Sequence, residues 1–315
     1  MIAVTGASGF VGRALVERLQ SDGRAVRALT RRQTSIPGDH VVLGDMGPDT
    51  DWRSALRGVS CVVHCAARVH VMAEEHPNPD AAFNAVNAEG TRRLAEQAAY
   101  AGVKRLVYLS TVKVMGESTL PGQPFTHTSP ANPHDAYARS KLEAERALWS
   151  VARHAGLEVV IVRPPLVYGP GVGANFRALV EWVSKGWPLP FGSIPNRRSL
   201  IGLGNLTDLI AHCLEHPKAS GQTFLVSDGR DLSTADLVKH IAAAMNRPAR
   251  MVPAPLWLLN FLGQVTGRGQ QISRLTESLQ LDIQHTLRTL DWHPPHSVQE
   301  ELVRTIEDFP NEATV

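Results

Sequence analysis

Short apolar runs and helically spaced apolar residues take turns along the first half of the chain. Ile2 to Thr5 reads as a strand, and Phe10 to Gln20 follows with Phe10, Val11, Ala14, Leu15 and Leu19 at helical spacing. Further strands are predicted at Ala25 to Thr30, His40 to Leu43, Cys61 to Cys65, Lys104 to Leu109 and Leu157 to Val162. The Cys61 run is apolar at nearly every position except His64, a composition that suits a strand covered on both faces. Long helices are predicted over Asp80 to Ala101, closed by Gly102, and over Asp135 to His154, followed by Gly156. Pro164 and Pro165 stop the sixth strand. Strict alternation of strand and helix implies right-handed crossovers and a parallel α/β sheet with helices on both faces.

Beyond about residue 168 glycine and proline become denser and the predicted helices shorten, to Asn175–Lys185, Leu206–His216, Thr234–Met245 and Ser297–Phe309. The uncharged stretch from Met251 to Gly267 holds Pro253, Pro255, Asn260 and Gln264, so it does not supply the roughly 20 apolar residues of a membrane span. Its inner run, Leu256 to Leu259, is expected to cover a core or a pocket.

Composition narrows the class. The 315 residues are 43% apolar and 20% charged, which is ordinary globular usage and enough chain for one large or two modest domains. Thirty-two basic and 30 acidic residues leave a net charge of +2, against a dedicated nucleic-acid binder or a disordered chain. Cys61, Cys65 and Cys213 form no C-x-x-C pair, so neither a disulfide framework nor a metal site is expected, and a reducing compartment fits. No basic segment precedes the strand at Ile2, so a cytoplasmic location is expected.

Two motifs carry chemistry. Thr5-Gly6-Ala7-Ser8-Gly9-Phe10-Val11-Gly12 joins the first strand to the first helix. Gly6 permits the turn, Gly9 lets a diphosphate approach the backbone, Gly12 permits close packing, and the helix start at Phe10 and Val11 offers free N–H groups. A dinucleotide is the expected ligand. NAD sites of this kind end the second strand on an acid that binds the adenosine ribose. Here that strand ends on Thr30-Arg31-Arg32, and guanidinium groups favour a 2′-phosphate. NADP(H) is therefore favoured, with NAD(H) left open. The second motif is Tyr137-Ala138-Arg139-Ser140-Lys141, which sets Tyr137 and Lys141 one turn apart on one helix face. A neighbouring ammonium favours the phenolate, so Tyr137 is expected to exchange a proton with a substrate oxygen near neutral pH. His70 and Lys113 fall on loops at carboxyl ends of strands, where doubly wound folds bind ligands.

The Gly-x-x-Gly-x-x-Gly spacing, with TGASGFVG, resembles the extended short-chain dehydrogenase/reductases of the NAD-dependent epimerase/dehydratase family. The resemblance implies a Rossmann doubly wound sheet with a smaller, interleaved C-terminal substrate lobe. Residues 1–168 and about 199–227 would form the cofactor domain, and 169–198 with 228–315 the lobe. It further implies Thr111 as the third catalytic residue, 26 positions before Tyr137, with Ser110 beside the nicotinamide and Lys141 on its ribose. Asp45 would contact the adenine beside Met46. Ala66, Ala67, Asn87, Pro164 and Val167 would line the cofactor. Asn175, Arg198 and Arg274 join His70 and Lys113 as candidate substrate contacts.

Segments such as Ala66 to Met72, Arg197 to Leu200 and Ser278 to Asp282 resemble, more narrowly, bacterial O-antigen enzymes. Those enzymes reduce a UDP-4-keto-6-deoxy-N-acetylhexosamine, so a UDP-linked sugar is the implied substrate. Two departures stand out: Met115 replaces the family's tyrosine, and Leu166 replaces an asparagine of many epimerases. A UDP-hexose 4-epimerase with tightly bound NAD is the alternative, acting on UDP-glucose or UDP-GlcNAc, and a non-catalytic dinucleotide sensor the remote one. A homodimer is left open.

Overall fold

Seven parallel strands form the central sheet of the computed structural model, which describes residues 1–69, 77–266 and 269–309. In chain order these are β1 (Ile2–Thr5), β2 (Val26–Thr30), β3 (Asp39–Val42), β4 (Cys61–His64), β5 (Arg105–Leu109), β6 (Glu158–Arg163) and, after two short strands, β9 (Gln222–Leu225). The short strands are β7 (Leu166–Tyr168) and β8 (Leu200–Gly202), paired in parallel as a second sheet. Order in the main sheet is β3-β2-β1-β4-β5-β6-β9. The order reverses between β1 and β4, which opens a crevice at the carboxyl edge of the sheet.

Alternation along each strand builds two cores. Val4, Val63, Val107 and Val160 meet Leu15 and Leu19 of α1 (Phe10–Ser21) on one face. Leu206 and Ile210 of α6 (Leu203–Glu215) complete that face. Ala3, Val62, Leu106 and Val159 point the other way. There they meet Leu94 and Ala98 of α3 (Gly90–Tyr100) and Leu148 of α4 (Ala136–Ala155). Each fully buried aliphatic side chain contributes about 1.5–3 kcal/mol. Gly156, at φ +70°, closes α4 in the left-handed conformation, the stop that its sequence position predicted.

The helix expected over Asp80 to Ala101 is not one regular helix. It opens as α2 (Pro79–Asn84), passes through a π-helical turn over Ala85–Glu89, and resumes as α3. The wide turn places Asn87 inward, where it is 1% exposed. Such turns inside helices occur frequently at functional sites, and apolar spacing does not reveal them.

A third core lies outside the main sheet. It is built by Phe176 and Val180 of α5 (Ala174–Ser184), Val238 and Ile241 of α7 (Thr234–Ala244), and Leu302 of α11 (Val298–Glu307). The described residues hold three more α-helices: α8 (Leu256–Val265), α9 (Gly269–Thr276) and α10 (Gln284–Leu290). The apolar run in α8 differs from its expectation. Leu259 is buried, but Trp257 is 70% and Phe261 57% exposed, so much of the helix faces outward instead of covering a core.

Candidate active site

Backbone geometry shapes the glycine loop first. Gly6 takes φ +63°, and a Cβ there would stand 2.8 Å from the Ala66 nitrogen. A Cβ on Gly12 would lie 2.2 Å from the Gly6 carbonyl oxygen, so the first turn of α1 sits directly on that loop. Gly9 is the N-cap and supplies no side-chain cap, and the first turn carries no acid. The N–H groups of that turn therefore remain available to an anion. This cradle, with Ala66 and Ala67 on the loop leaving β4, fits the diphosphate of a dinucleotide.

At the end of β5 the Ser110 N–H donates to the Val162 carbonyl, 2.8 Å away, tying the strand end to β6. Thr111 is extended, and its Oγ1 accepts from the Lys113 N–H at 3.3 Å, capping the short 3₁₀ turn Val112–Val114. Pro164 lies beside this turn and accepts from the Val112 N–H at 2.9 Å. Across the crevice, Asp135 caps α4 by accepting from the Ala138 N–H at 2.6 Å. That cap fixes the first turn of α4, which carries Tyr137, and Phe83 packs edge-on to the Tyr137 ring at 6.2 Å between centroids. The turn is braced from behind. The Ser140 hydroxyl donates to the Tyr137 carbonyl at 2.8 Å, and Asn87 Nδ2 donates to Ser140 at 2.9 Å. Asn87 also exchanges hydrogen bonds with the Arg68 N–H and carbonyl. Its amide is thus engaged within the protein, holding the β4 loop to α4.

Lys141 follows Tyr137 by one turn and is 2% exposed. Its Nζ donates to the Leu109 carbonyl at 2.6 Å and lies 4.0 Å from the Tyr108 ring centroid. Burial pulls the Lys141 ammonium down to about 7, against which the Glu145 carboxylate favours the charged form. Tyr137 is pushed up to about 12, first by burial and then by the negative charge of Asp135. This direction is opposite to that expected from an ammonium neighbour. Burial suppresses the Lys141 charge itself, and its Nζ is turned to the Leu109 carbonyl. Tyr137 is consequently a neutral hydroxyl at physiological pH, which suits a proton donor.

A buried carboxylate that sequence reasoning missed lies one further turn along α4. Glu145 is 2% exposed and makes a bidentate pair with Arg163, at 2.5 and 3.0 Å. The Ser110 hydroxyl donates to the same carboxylate at 2.5 Å. The hydroxyl of Ser110, the residue expected beside the nicotinamide, anchors the strand end to α4. The available signal was spacing: Tyr137, Lys141 and Glu145 stand at i, i+4 and i+8 on one face.

Beneath this site His64 is fully buried between the Thr5 hydroxyl at 2.6 Å and the Thr91 hydroxyl at 2.9 Å. It stacks on Tyr108 at 5.5 Å. Burial, and next the Lys141 charge, push its imidazolium down to about 3. A folded value below the unfolded one means that the unfolded chain binds the extra proton first. Stability is therefore present above the ordinary histidine value near 6.5 and is lost as pH falls toward 3. Denaturant titrations of wild type and His64→Asn across this window are expected to differ in slope, by up to about 1.4 kcal/mol per pH unit. Parallel slopes would remove His64 from the acid response.

The other predicted positions lie on several elements. Phe10 and Val11 begin α1; Phe10 packs on the third core and Val11 on the first. Arg31 and Asp45 stand at the outer edge near β2, 3.6 Å apart and both exposed, with Arg32 also exposed. Met46 packs toward α3, close to Gly90. Val167 lies in β7, paired with Ile201. Lys113 is bound to Asp135 at 2.6 Å and to Glu117 at 3.0 Å, so its ammonium braces the start of α4. Arg198 donates to the Glu277 carbonyl at 2.9 Å. Burial and then the nearby Arg274 cation hold Arg198 down to about 10, while Glu277 and Glu117 act in the opposite sense. Asn175 is exposed in the first turn of α5. His70 lies outside the described residues. Among the described residues no cluster of metal-ligating side chains occurs, and Cys61, Cys65 and Cys213 are all free thiols.

Comparison with known proteins identifies this architecture. A model of the NAD dependent epimerase/dehydratase family matches residues 2–227. The chain belongs to that family. It is an enzyme of the oxidoreductase and epimerase type, and its Rossmann sheet is the family's dinucleotide platform. A UDP-glucose 4-epimerase from Vibrio cholerae is 45% identical over 311 residues, covering 98% of this chain and 95% of the relative. An N-acetyl-alpha-D-glucosaminyl-diphospho-ditrans,octacis-undecaprenol 4-epimerase from Escherichia coli O157:H7 is 26% identical over 287 residues, 86% of this chain and 82% of its own. A solved short-chain dehydrogenase/reductase superfamily protein from Agrobacterium tumefaciens, with bound NAD, shares the fold. Its TM-score is 0.76 at 24% identity, covering 98% of this chain and 95% of that one.

Proposed function

We propose that the enzyme exchanges hydride at C4 of a UDP-linked hexose, working in the reductive direction on a 4-keto sugar with NADPH. A bound nicotinamide dinucleotide supplies the hydride. Tyr137 delivers the proton to the nascent C4 alkoxide, Thr111 orients that oxygen, and Lys141 holds the nicotinamide ribose. Arg198 and Arg274, which are close enough to repel, offer positive charge to a sugar diphosphate. Lys113, Asn175 and His70 complete the proposed substrate set. On the cofactor side the proposed contacts are the glycine loop, Asp45, Met46, Ala66, Ala67, Pro164 and Val167.

The observation that carries the direction is the end of β2. It presents Thr30-Arg31-Arg32 with no acid for a ribose diol, and exposed guanidinium groups favour a 2′-phosphate. A second reading, 4-epimerisation of a UDP-hexose with retained NAD, is favoured by the 45% identity to the Vibrio cholerae relative. The same Tyr137, Lys141 and Thr111 serve both.

Offering the purified enzyme UDP-4-keto sugars and UDP-hexoses, while following NADPH consumption and product identity together, separates the readings. A polyprenyl-diphosphate sugar, the class named for the Escherichia coli relative, completes the panel. Stoichiometric NADPH oxidation with a 4-keto sugar is expected. Interconversion of UDP-glucose and UDP-galactose without added NADPH would replace the first reading by the second.

A further inference from the structure

Helix α8 turns its apolar stripe outward. Trp257, Phe261 and Val265 recur at i, i+4 and i+8, so they share one face, and they are 70%, 57% and 68% exposed. Leu259, about 200° around the helix from Trp257, is buried and holds α8 to the third core. Val252, just before the helix, is also exposed, and its backbone pairs with Leu189, two residues from the exposed Trp187. Lys185 Nζ lies 5.5 Å from the Trp187 ring centroid, and exposed Arg250 sits on the same backbone ladder.

Charge along the surrounding stretch of sequence has one sign. Between Asp236 and Glu277 the chain runs 40 residues without Asp or Glu, yet holds Lys239, Arg247, Arg250, Arg268 and Arg274. The whole chain is nearly balanced, at +2, so this asymmetry is local. Helix α8 itself carries no charge, so the cations come from the adjoining ladder, where exposed Lys185 and Arg250 stand. Outward tryptophan and phenylalanine beside basic residues match the composition of a surface that lies in a bilayer interface. A second copy of the chain fits less well. A two-fold contact brings each patch against itself, and the adjoining Lys185 and Arg250 would then be brought toward their own copies. At 10 residues α8 cannot cross a bilayer, and no described helix is long and apolar enough to do so.

We propose that this face docks the enzyme onto an anionic lipid surface, with Trp257, Phe261 and Val265 entering the headgroup region. Arg250 and Lys185 then meet lipid phosphates. Helix α8 packs on α9, which carries Arg274, so docking sets the lobe proposed to bind the substrate diphosphate at the membrane surface.

The test is co-sedimentation of the full chain with vesicles of equal parts phosphatidylethanolamine and phosphatidylglycerol, and with phosphatidylcholine vesicles. Wild type is expected to partition onto the anionic vesicles only, with a blue shift in tryptophan emission, and to dissociate as salt rises. The double variant W257E/F261E is expected to lose at least about tenfold in partition coefficient. Arg250→Ala is expected to lose about fivefold. Should W257E/F261E fail to fold, Arg250→Ala with the salt series carries the test alone. Wild type that ignores anionic vesicles, or binds phosphatidylcholine equally, overturns the proposal. So does a wild-type dimer that W257E/F261E converts to monomer, which would assign the face to a second copy.

Discussion

Tyr137→Phe is expected to lower turnover by about 10²- to 10⁴-fold while leaving dinucleotide affinity within a small factor of wild type. The phenol is the proposed proton donor, and burial with the Asp135 charge holds it neutral up to about 12. Phenylalanine keeps the ring against Phe83 and removes only the hydroxyl. Pre-steady-state hydride transfer, with a separate fluorescence titration of the cofactor, measures the two quantities independently. The same pKa direction gives a pH signature. Reduction needs the protonated phenol and is expected to show no Tyr137 limb through neutral and mildly basic pH. Oxidation needs the phenolate and is expected to accelerate as pH rises. A variant that retains wild-type turnover would assign proton transfer elsewhere.

The second large effect lies one turn beyond Lys141 along α4. Glu145→Ala is expected to cost about 3–5 kcal/mol of unfolding free energy, because Arg163 is left as a nearly buried, uncompensated cation. The Ser110 hydroxyl loses its acceptor in the same substitution. Glu145→Gln keeps the volume and an acceptor, so its stability loss is expected to be smaller. It still removes the negative charge that favours the Lys141 ammonium, so Lys141 is expected to titrate below about 7. Denaturant titration reads the first effect and the pH dependence of cofactor binding reads the second. A loss under about 1 kcal/mol for Glu145→Ala would show that Arg163 finds another partner, and an unmoved pH profile would uncouple Glu145 from Lys141.

These two residues differ in how visible they were. Tyr137 and Lys141 stand four positions apart on a helix whose start and stop are written locally, in Asp135 and Gly156. Gly6 and Gly12 were equally legible, since a strand, a tight turn and a helix follow one another without interruption. Glu145 carried the same i, i+4, i+8 spacing, yet its role depends on Arg163, which arrives from β6. Ser110 shows the converse. Its place at a strand end is local, but the carboxylate that its hydroxyl meets lies 35 residues away in sequence. Lys113 sits on a loop at a strand's carboxyl end, as its position predicts, and the partners that hold it there, Asp135 and Glu117, are visible only in the fold.

By itself the sequence determined the parallel α/β order, the glycine cradle, the Tyr137–Lys141 pair and the absence of an acid at the end of β2. Each is a short-range property, governed by side-chain period, backbone freedom or spacing within one helix. Only the tertiary structure decided the π-helical turn that buries Asn87, the Ser110–Glu145–Arg163 cluster, the raised Tyr137 and lowered Lys141, and the outward face of α8. These depend on which distant groups exclude water from a site and which charges they bring to it. Desolvation and long-range pairing are set by packing, not by the order of residues along one segment.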